Sequence, residues 1–214
     1  MLITLTAPAF AGTWYIENGD ITVKASGTEG KNKVSQENNP EVEDTDTIIT
    51  NREDKASSNT VTIDAGDDKV EVTLDNVNIK TDSGSALTSN GDVTLTLKGE
   101  NHLTGGNGDI YGGDGITSRG SLTISGGTVT ATGGNSTGSV GSGGSGIYSV
   151  SGDVTISGGT VTATGGNSTG SYGSGGDGIH SGSVTVSDGT VTANGGNGGN
   201  VSGDGIRSDG GVTI

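Results

Sequence analysis

One phrase recurs five times along this chain: Gly84-Ser85-Ala86-Leu87-Thr88-Ser89, Gly113-Asp114-Gly115-Ile116-Thr117-Ser118, Gly144-Ser145-Gly146-Ile147-Tyr148-Ser149, Gly176-Asp177-Gly178-Ile179-His180-Ser181 and Gly203-Asp204-Gly205-Ile206-Arg207-Ser208. Counted from the apolar residue of each phrase, the intervals are 29, 31, 32 and 27 residues. A fixed phrase at a period of about 20 to 50 residues, separated by elastic spacers, predicts a solenoid in which stacked neighbours bury what a single coil cannot. Chemistry in such a fold must be sought in columns of stacked residues, because no position stands alone.

Composition limits the width of that solenoid. With 44 glycines, two prolines, 27% hydrophobic and 3% aromatic residues among 214, the chain can fill only a narrow core. Its apolar residues nevertheless fall in alternating clusters such as Val154-Thr-Ile156 and Val161-Thr-Ala163, bounded by Gly-Gly or Ser-Gly, which are strand and turn signals. The glycines keep no three-residue period, so a collagen helix is excluded.

Within residues 113–143, three short strands are expected at Ile116 to Ser118, Ser121 to Ser125 and Thr128 to Thr132, followed by a loop from Gly133 to Gly144. Three strands joined by tight turns describe a triangular parallel coil. Gly126-Gly127, Gly158-Gly159 and Asp188-Gly189 supply the positive φ that the corner demands. Side chains alternate across a strand, so Ile116, Ser118, Leu122, Ile124, Val129 and Ala131 should point inward and the threonines outward. Stacking at about 4.8 Å then builds the ladders Ile116-Ile147-Ile179-Ile206 and Val129-Val161-Val191. The buried serines Ser118, Ser149, Ser181 and Ser208 are expected to bond to neighbouring coils. The regular stack is assigned to residues 61–214. Residues 12–60, with strands at Trp14 to Ile16 and Ile21 to Val23, form an irregular cap and first coil.

The termini carry their own expectations. Residues 1–11, closing on Ala9-Phe10-Ala11, read as the end of a secretory signal cleaved after Ala11, which would place the protein outside the cell; the alternative is an apolar first strand. At the other end Val212-Thr213-Ile214 repeats the strand openings of earlier coils, as if the stack continued in a longer protein. No run approaches the roughly 20 apolar residues of a membrane span. The net charge is -15, with 17 of 25 acids and seven of ten basic residues in residues 1–92. An acidic chain with no basic stripe repels nucleic acid and anionic membranes alike. There is no cysteine, hence no disulfide and no thiolate metal site.

The order Val72-Thr-Leu74-Asp-Asn-Val77, Ala86-Leu87, Val93-Thr-Leu-Thr-Leu97-Lys-Gly-Glu-Asn101, then repeated Asp-Gly-Ile-x-Ser and Ile-Ser-Gly-Gly-Thr-Val-Thr-Ala-Thr-Gly-Gly, resembles the bacterial extracellular carbohydrate-binding right-handed β-helix domains over about residues 60–214. The resemblance implies a right-handed parallel β-helix, display at the cell surface as an adhesin-like module, binding of plant-type polysaccharides including uronate polymers, and calcium associated with the fold.

Two columns carry the candidate chemistry. The outward residue of the first strand changes from coil to coil, Thr88, Thr117, Tyr148, His180, Arg207, where other outward positions are monotonously Thr or Ser. Members about 5 Å apart match the scale of a sugar ring. Thr117, Tyr148, His180 and Arg207 are therefore the expected carbohydrate-binding residues: Tyr148 stacks on a ring, His180 donates or accepts, and Arg207 clamps a carboxylate. The alternative is a solvent-facing column free to drift. Asp114, Asp177 and Asp204 form a second column, a candidate calcium line because stacked carboxylates repel without a cation. Ser85 and Ser145 interrupt it. The alternative is that each Asp accepts its own turn N–H.

Other functions fit less well. The Thr128-Val-Thr130-Ala-Thr132 arrays and their equivalents resemble the flat lattice of ice-binding solenoids, yet Thr is the ordinary residue of an exposed strand. Gly105-Gly-Asn-Gly-Asp109 and Gly195-Gly-Asn-Gly-Gly-Asn200 lack the nine-residue period of calcium β-rolls and read as polar loops. A polysaccharide lyase needs a base beside clustered acids, but the repeats offer only Lys98, Arg119 and Arg207, with Arg119 and Arg207 three coils apart. His102 and His180 lie in different coils, so no His-centred triad or zinc cluster forms and no enzymatic activity is expected. A structural surface stalk remains the rival to a glycan-binding module.

Overall fold

The computed structural model describes residues 11–214, so the expected signal segment lies outside the described residues except for Ala11. The regular secondary structure of the described chain is nearly all strand, stacked as a parallel β-solenoid of about six turns. The strands are β1 (Thr13–Tyr15), β2 (Ile21–Ala25), β3 (Asn32–Gln36), β4 (Val42–Asp44), β5 (Ile48–Thr50), β6 (Val61–Asp75), β7 (Asn78–Lys80), β8 (Leu87–Thr104), β9 (Ile116–Ser118), β10 (Leu122–Thr132), β11 (Ile147–Ser149), β12 (Val154–Thr164), β13 (Ile179–Ser181), β14 (Val184–Asn194), β15 (Ile206–Ser208) and β16 (Val212–Thr213).

Short strands β9, β11, β13 and β15 stack on one another, as do the long strands β10, β12 and β14 with the two-residue β16 at their end. Both stacks meet at β8, whose first residues pair with β9 and whose remainder pairs with β10. The expected second and third strands are thus one strand bent at a glycine corner. Gly126 and Gly127 take φ of 69° and 37°, and Gly159 and Gly189 take 83° and 98°. Only glycine adopts these without strain.

Register follows the sequence ladders. Ile116 pairs with Ile147, Ile147 with Ile179 and Ile179 with Ile206, while Val129, Val161 and Val191 form the second ladder. Ile116, Leu122, Ile124 and Ala131 are fully buried. Burial of each larger aliphatic side chain contributes about 1.5–3 kcal/mol. Asn101 enters the same ladder opposite Val129 and is also fully buried. It is satisfied there: its Oδ1 accepts the Val77 N–H at 2.9 Å, and its Nδ2 donates to Lys98 O and Thr128 O, both at 3.1 Å.

The serine ladder meets the expectation in part. Ser118, Ser149, Ser181 and Ser208 donate to carbonyls two or three residues ahead in their own turns, at 2.8 to 2.9 Å. Ser149 and Ser208 also reach the preceding coil, at 3.2 and 3.0 Å. Turn geometry places an acceptor closer than the next coil does.

Residues 12–60 pair in another manner. Strands β2, β3 and β4 form an antiparallel ribbon, while β2 and β5 each run parallel to β6. Buried Asp44 accepts from the Gly12 N–H at 2.9 Å and from Trp14 Nε1 at 2.7 Å.

The segment after the third strand is a loop, as read, but an ordered one that stacks through isolated bridges. Residues 105–113, 133–144, 165–176 and 195–203 leave the coil, turn and return as a side lobe with a neck of paired glycines. The neck carries one chain of hydrogen bonds along the stack. Gly203 N–H donates to Gly196 O (2.9 Å), Gly196 to Gly176 (2.8 Å), Gly176 to Gly166 (2.8 Å), Gly166 to Gly144 (2.7 Å), Gly144 to Gly134 (2.9 Å), Gly134 to Gly113 (2.7 Å), Gly113 to Gly106 (2.8 Å) and Gly106 to Gly84 (2.9 Å). A Cβ on Gly113, Gly134, Gly144, Gly166 or Gly176 would overlap a carbonyl oxygen of the preceding coil, and one on Gly105, Gly133, Gly165 or Gly195 a carbonyl oxygen of the facing arm. Inside the lobe, buried Ser136 donates to Asp109 O at 2.8 Å and Ser168 to Gly141 O at 2.9 Å.

Substituting Gly134 by Ala is therefore expected to destabilise the fold by about 2–4 kcal/mol in denaturant unfolding, because backbone must move to admit the methyl group. Exposed Thr137→Ala in the same lobe should stay within about 0.5 kcal/mol of the parent.

Candidate functional site

The first strand's outward side chains form one column. Thr88 pairs with Thr117, Thr117 with Tyr148, Tyr148 with His180 and His180 with Arg207, at the roughly 4.8 Å spacing of adjacent strands. The Tyr148 and His180 ring centroids lie 5.1 Å apart with planes tilted by 50°. His180 is held from the corner side, its Nδ1 3.3 Å from Asp177 Oδ2. The His180 side chain keeps 29% of its surface in solvent, Tyr148 is half-buried, and Arg207 is exposed.

Beside this column the strand-entry corner stacks Ser85, Asp114, Ser145, Asp177 and Asp204. Asp114 Oδ2 accepts the Thr117 hydroxyl at 2.7 Å, and its Oδ1 accepts the Ser145 N–H at 2.7 Å. Ser85 Oγ lies 2.7 Å from Thr117 Oγ1. The Thr117 proton is committed to Asp114, so Ser85 is the donor in that pair. Thr117 is thereby tied into the corner, leaving Tyr148, His180 and Arg207 as the column's outward-presenting members.

Asp114 and Asp177 accept an N–H from the stack and none from their own turns. Asp177 Oδ1 accepts the Asp204 N–H at 2.7 Å, as Asp114 accepts that of Ser145. The Asp114 and Asp177 carboxylates thus cap the corner amide of the following coil, while Asp204 is exposed. Asp114 and Asp177 stand two coils apart, about 9.6 Å, with Ser145 between them. Among the described residues no group of three acidic or histidine side chains converges as a metal site. Calcium takes six to eight oxygens, so a calcium line along this column would need backbone carbonyls beside the carboxylates that already accept the Ser145 and Asp204 N–H groups.

A feature that the sequence reading passed over lies on the lobe's departing arm. Asn107 Oδ1 accepts the Asn135 N–H at 2.8 Å, Asn135 Oδ1 that of Asn167 at 2.7 Å, and Asn167 Oδ1 that of Asn197 at 2.7 Å. The signal was present as Gly-Gly-Asn at intervals of 28, 32 and 30 residues. Between this asparagine ladder and the Thr104-Thr132-Thr164 ladder runs a trough of about 480 Å³.

Burial pushes the Asp114 carboxyl above the usual aspartate range, opposed by the bonds from Thr117 and Ser145 and by His180. A carboxyl raised in the folded state binds its proton more tightly there than in the unfolded chain. The contribution of Asp114 to stability should accordingly fall as pH rises from the ordinary aspartate value through the raised one. Asp114→Asn keeps an acceptor for Ser145 and has no such term. Its melting temperature relative to wild type is expected to climb between pH 3.5 and pH 7, measured by thermal unfolding at each pH.

Comparison with family models, curated proteins and solved structures yields no match, so the likeness to carbohydrate-binding β-helix domains extends only to the β-solenoid architecture.

Proposed function

We propose that the protein is an extracellular polysaccharide-binding or adhesin module that holds a glycan chain along the outward column of its first strand. The observation that carries this reading is the register: Tyr148, His180 and Arg207 occupy three successive coils, in a molecule whose other repeat faces present mainly Thr and Ser. A ring face, an imidazole oriented by Asp177 and an exposed guanidinium offer stacking, hydrogen bonding and carboxylate recognition in a line. An extended face of this kind suits a polymer better than a small molecule, which favours enclosed pockets.

Uronate polymers fit Arg207, but the net charge of -15 opposes their approach. A divalent cation such as calcium, which screens and bridges carboxylates, is expected to assist their binding. The continuous backbone bonding along the neck favours a second reading, a stiff surface spacer with no ligand of its own.

A glycan array run with calcium and with chelator separates the two readings. The binding module should retain uronate-containing polysaccharide more strongly with calcium, and Tyr148→Ala, His180→Ala and Arg207→Ala should each weaken it about tenfold. Unchanged affinity in all three variants would remove the column from the site, and no retention of any polysaccharide would leave the spacer.

A further inference from the structure

We propose that the trough on the lobe's departing arm is a second binding surface, for an extended uncharged polysaccharide lying parallel to the solenoid axis. It faces away from the Tyr148 column. The lobe leaves the coil after Thr132 and rejoins it before Ser145, so the asparagine wall and the aspartate corner flank the neck on opposite sides.

Three observations carry the assignment. First, the asparagine ladder is oriented for donation outward. Each Oδ1 of Asn107, Asn135 and Asn167 is fixed by the next coil's N–H, and among the described residues no protein acceptor meets their Nδ2 groups. These asparagines are exposed, so the trough presents amide donors whose rotamers are already set, which lowers the entropy cost of binding. Second, the facing wall is a ladder of threonine hydroxyls, Thr104, Thr132 and Thr164, each able to donate or accept. Third, the trough is uncharged along its length, with Lys80 and Asp82 confined to one end.

The repeat selects the ligand class. Donors and hydroxyls recur once per coil, about 4.8 Å, close to the length of one ring in an extended polysaccharide. An extended peptide repeats at about 3.3 Å per residue and would fall out of step with them. An uncharged polymer also escapes the repulsion that the net charge imposes on polyanions. With a glycan on each side of the neck, one molecule would join two polymer chains.

The test is calorimetric titration of the full chain with 1,4-linked hexasaccharides of glucose, mannose and xylose. The expected result is binding of at least one, weakened tenfold or more by Asn135→Asp. The carboxylate of that variant still accepts the Asn167 N–H but cannot donate, so the melting temperature reports whether the ladder survives. Thr132→Val, which keeps the branched shape and loses the hydroxyl, should weaken binding in the same direction, and Tyr148→Ala should leave it unchanged. No binding of any neutral hexasaccharide, or full binding by a folded Asn135→Asp protein, overturns the proposal. Loss of neutral binding in Tyr148→Ala with full retention in Asn135→Asp also overturns it and moves the ligand to the first-strand column. Uronate binding without any neutral binding leaves the column reading standing while this one fails.

Discussion

The neck glycines bring two arms of backbone so close that their hydrogen bonds join into one zigzag chain from Gly203 to Gly84. Every second bond in that chain closes a lobe within its own coil, and the intervening ones tie one coil to the next. The inner glycines of this chain take part in both kinds of bond, one through the N–H and one through the C=O, so a shift that opens a lobe also disturbs its attachment to a neighbouring coil. The cost is compositional, since any Cβ in the contact meets a carbonyl oxygen. Much of the chain's glycine content is spent on this approach and not on flexibility.

Closure at the neck also decides where polar chemistry can sit. The triangular interior is filled by aliphatic ladders, so the two re-entrant angles beside the neck collect the hydrogen-bonding side chains. On one side the asparagines cap the departing arm, and on the other the aspartates cap the returning corner. Both ladders do the same backbone work, accepting an N–H from the following coil. They differ in what remains: the amide keeps free donors, whereas the Asp114 and Asp177 carboxylates spend their second oxygens on Thr117 and His180.

The coil was legible in the sequence because alternation and the recurring apolar phrase both report burial. Ile116, Leu122, Ile124 and Val129 could be placed inward from spacing alone, as could the glycine corner at 126 and 127. The lobe was not legible by the same means. Its interior is lined by Ser136, Ser168 and glycine, so no hydrophobic period marks it, and its pairing rests on isolated bridges between single residues. The doubled glycines bracketing each lobe resemble ordinary loop punctuation, and only their mutual distance in space reveals the neck. The aspartate acceptors were misplaced for a related reason: an Asx-turn is a local rule, while the true donor sits 31 residues away from Asp114 and 27 from Asp177.

Most of the uneven phrase spacing arises in the lobe, and the rest mainly in the turn between the first and second strands. From Thr104 to Ile116 the chain takes 12 residues, from Thr132 to Ile147 and from Thr164 to Ile179 it takes 15, and from Asn194 to Ile206 it returns to 12. The ladders on either side keep their partners through all of these changes. Length differences are shed beyond the neck, where the tips carry Tyr111 and Tyr172 about three-quarters exposed. The lobe thus separates two kinds of inheritance in one polypeptide: a stack that cannot slip by a residue, and a row of outer tips whose length and side chains are free to change from one coil to the next.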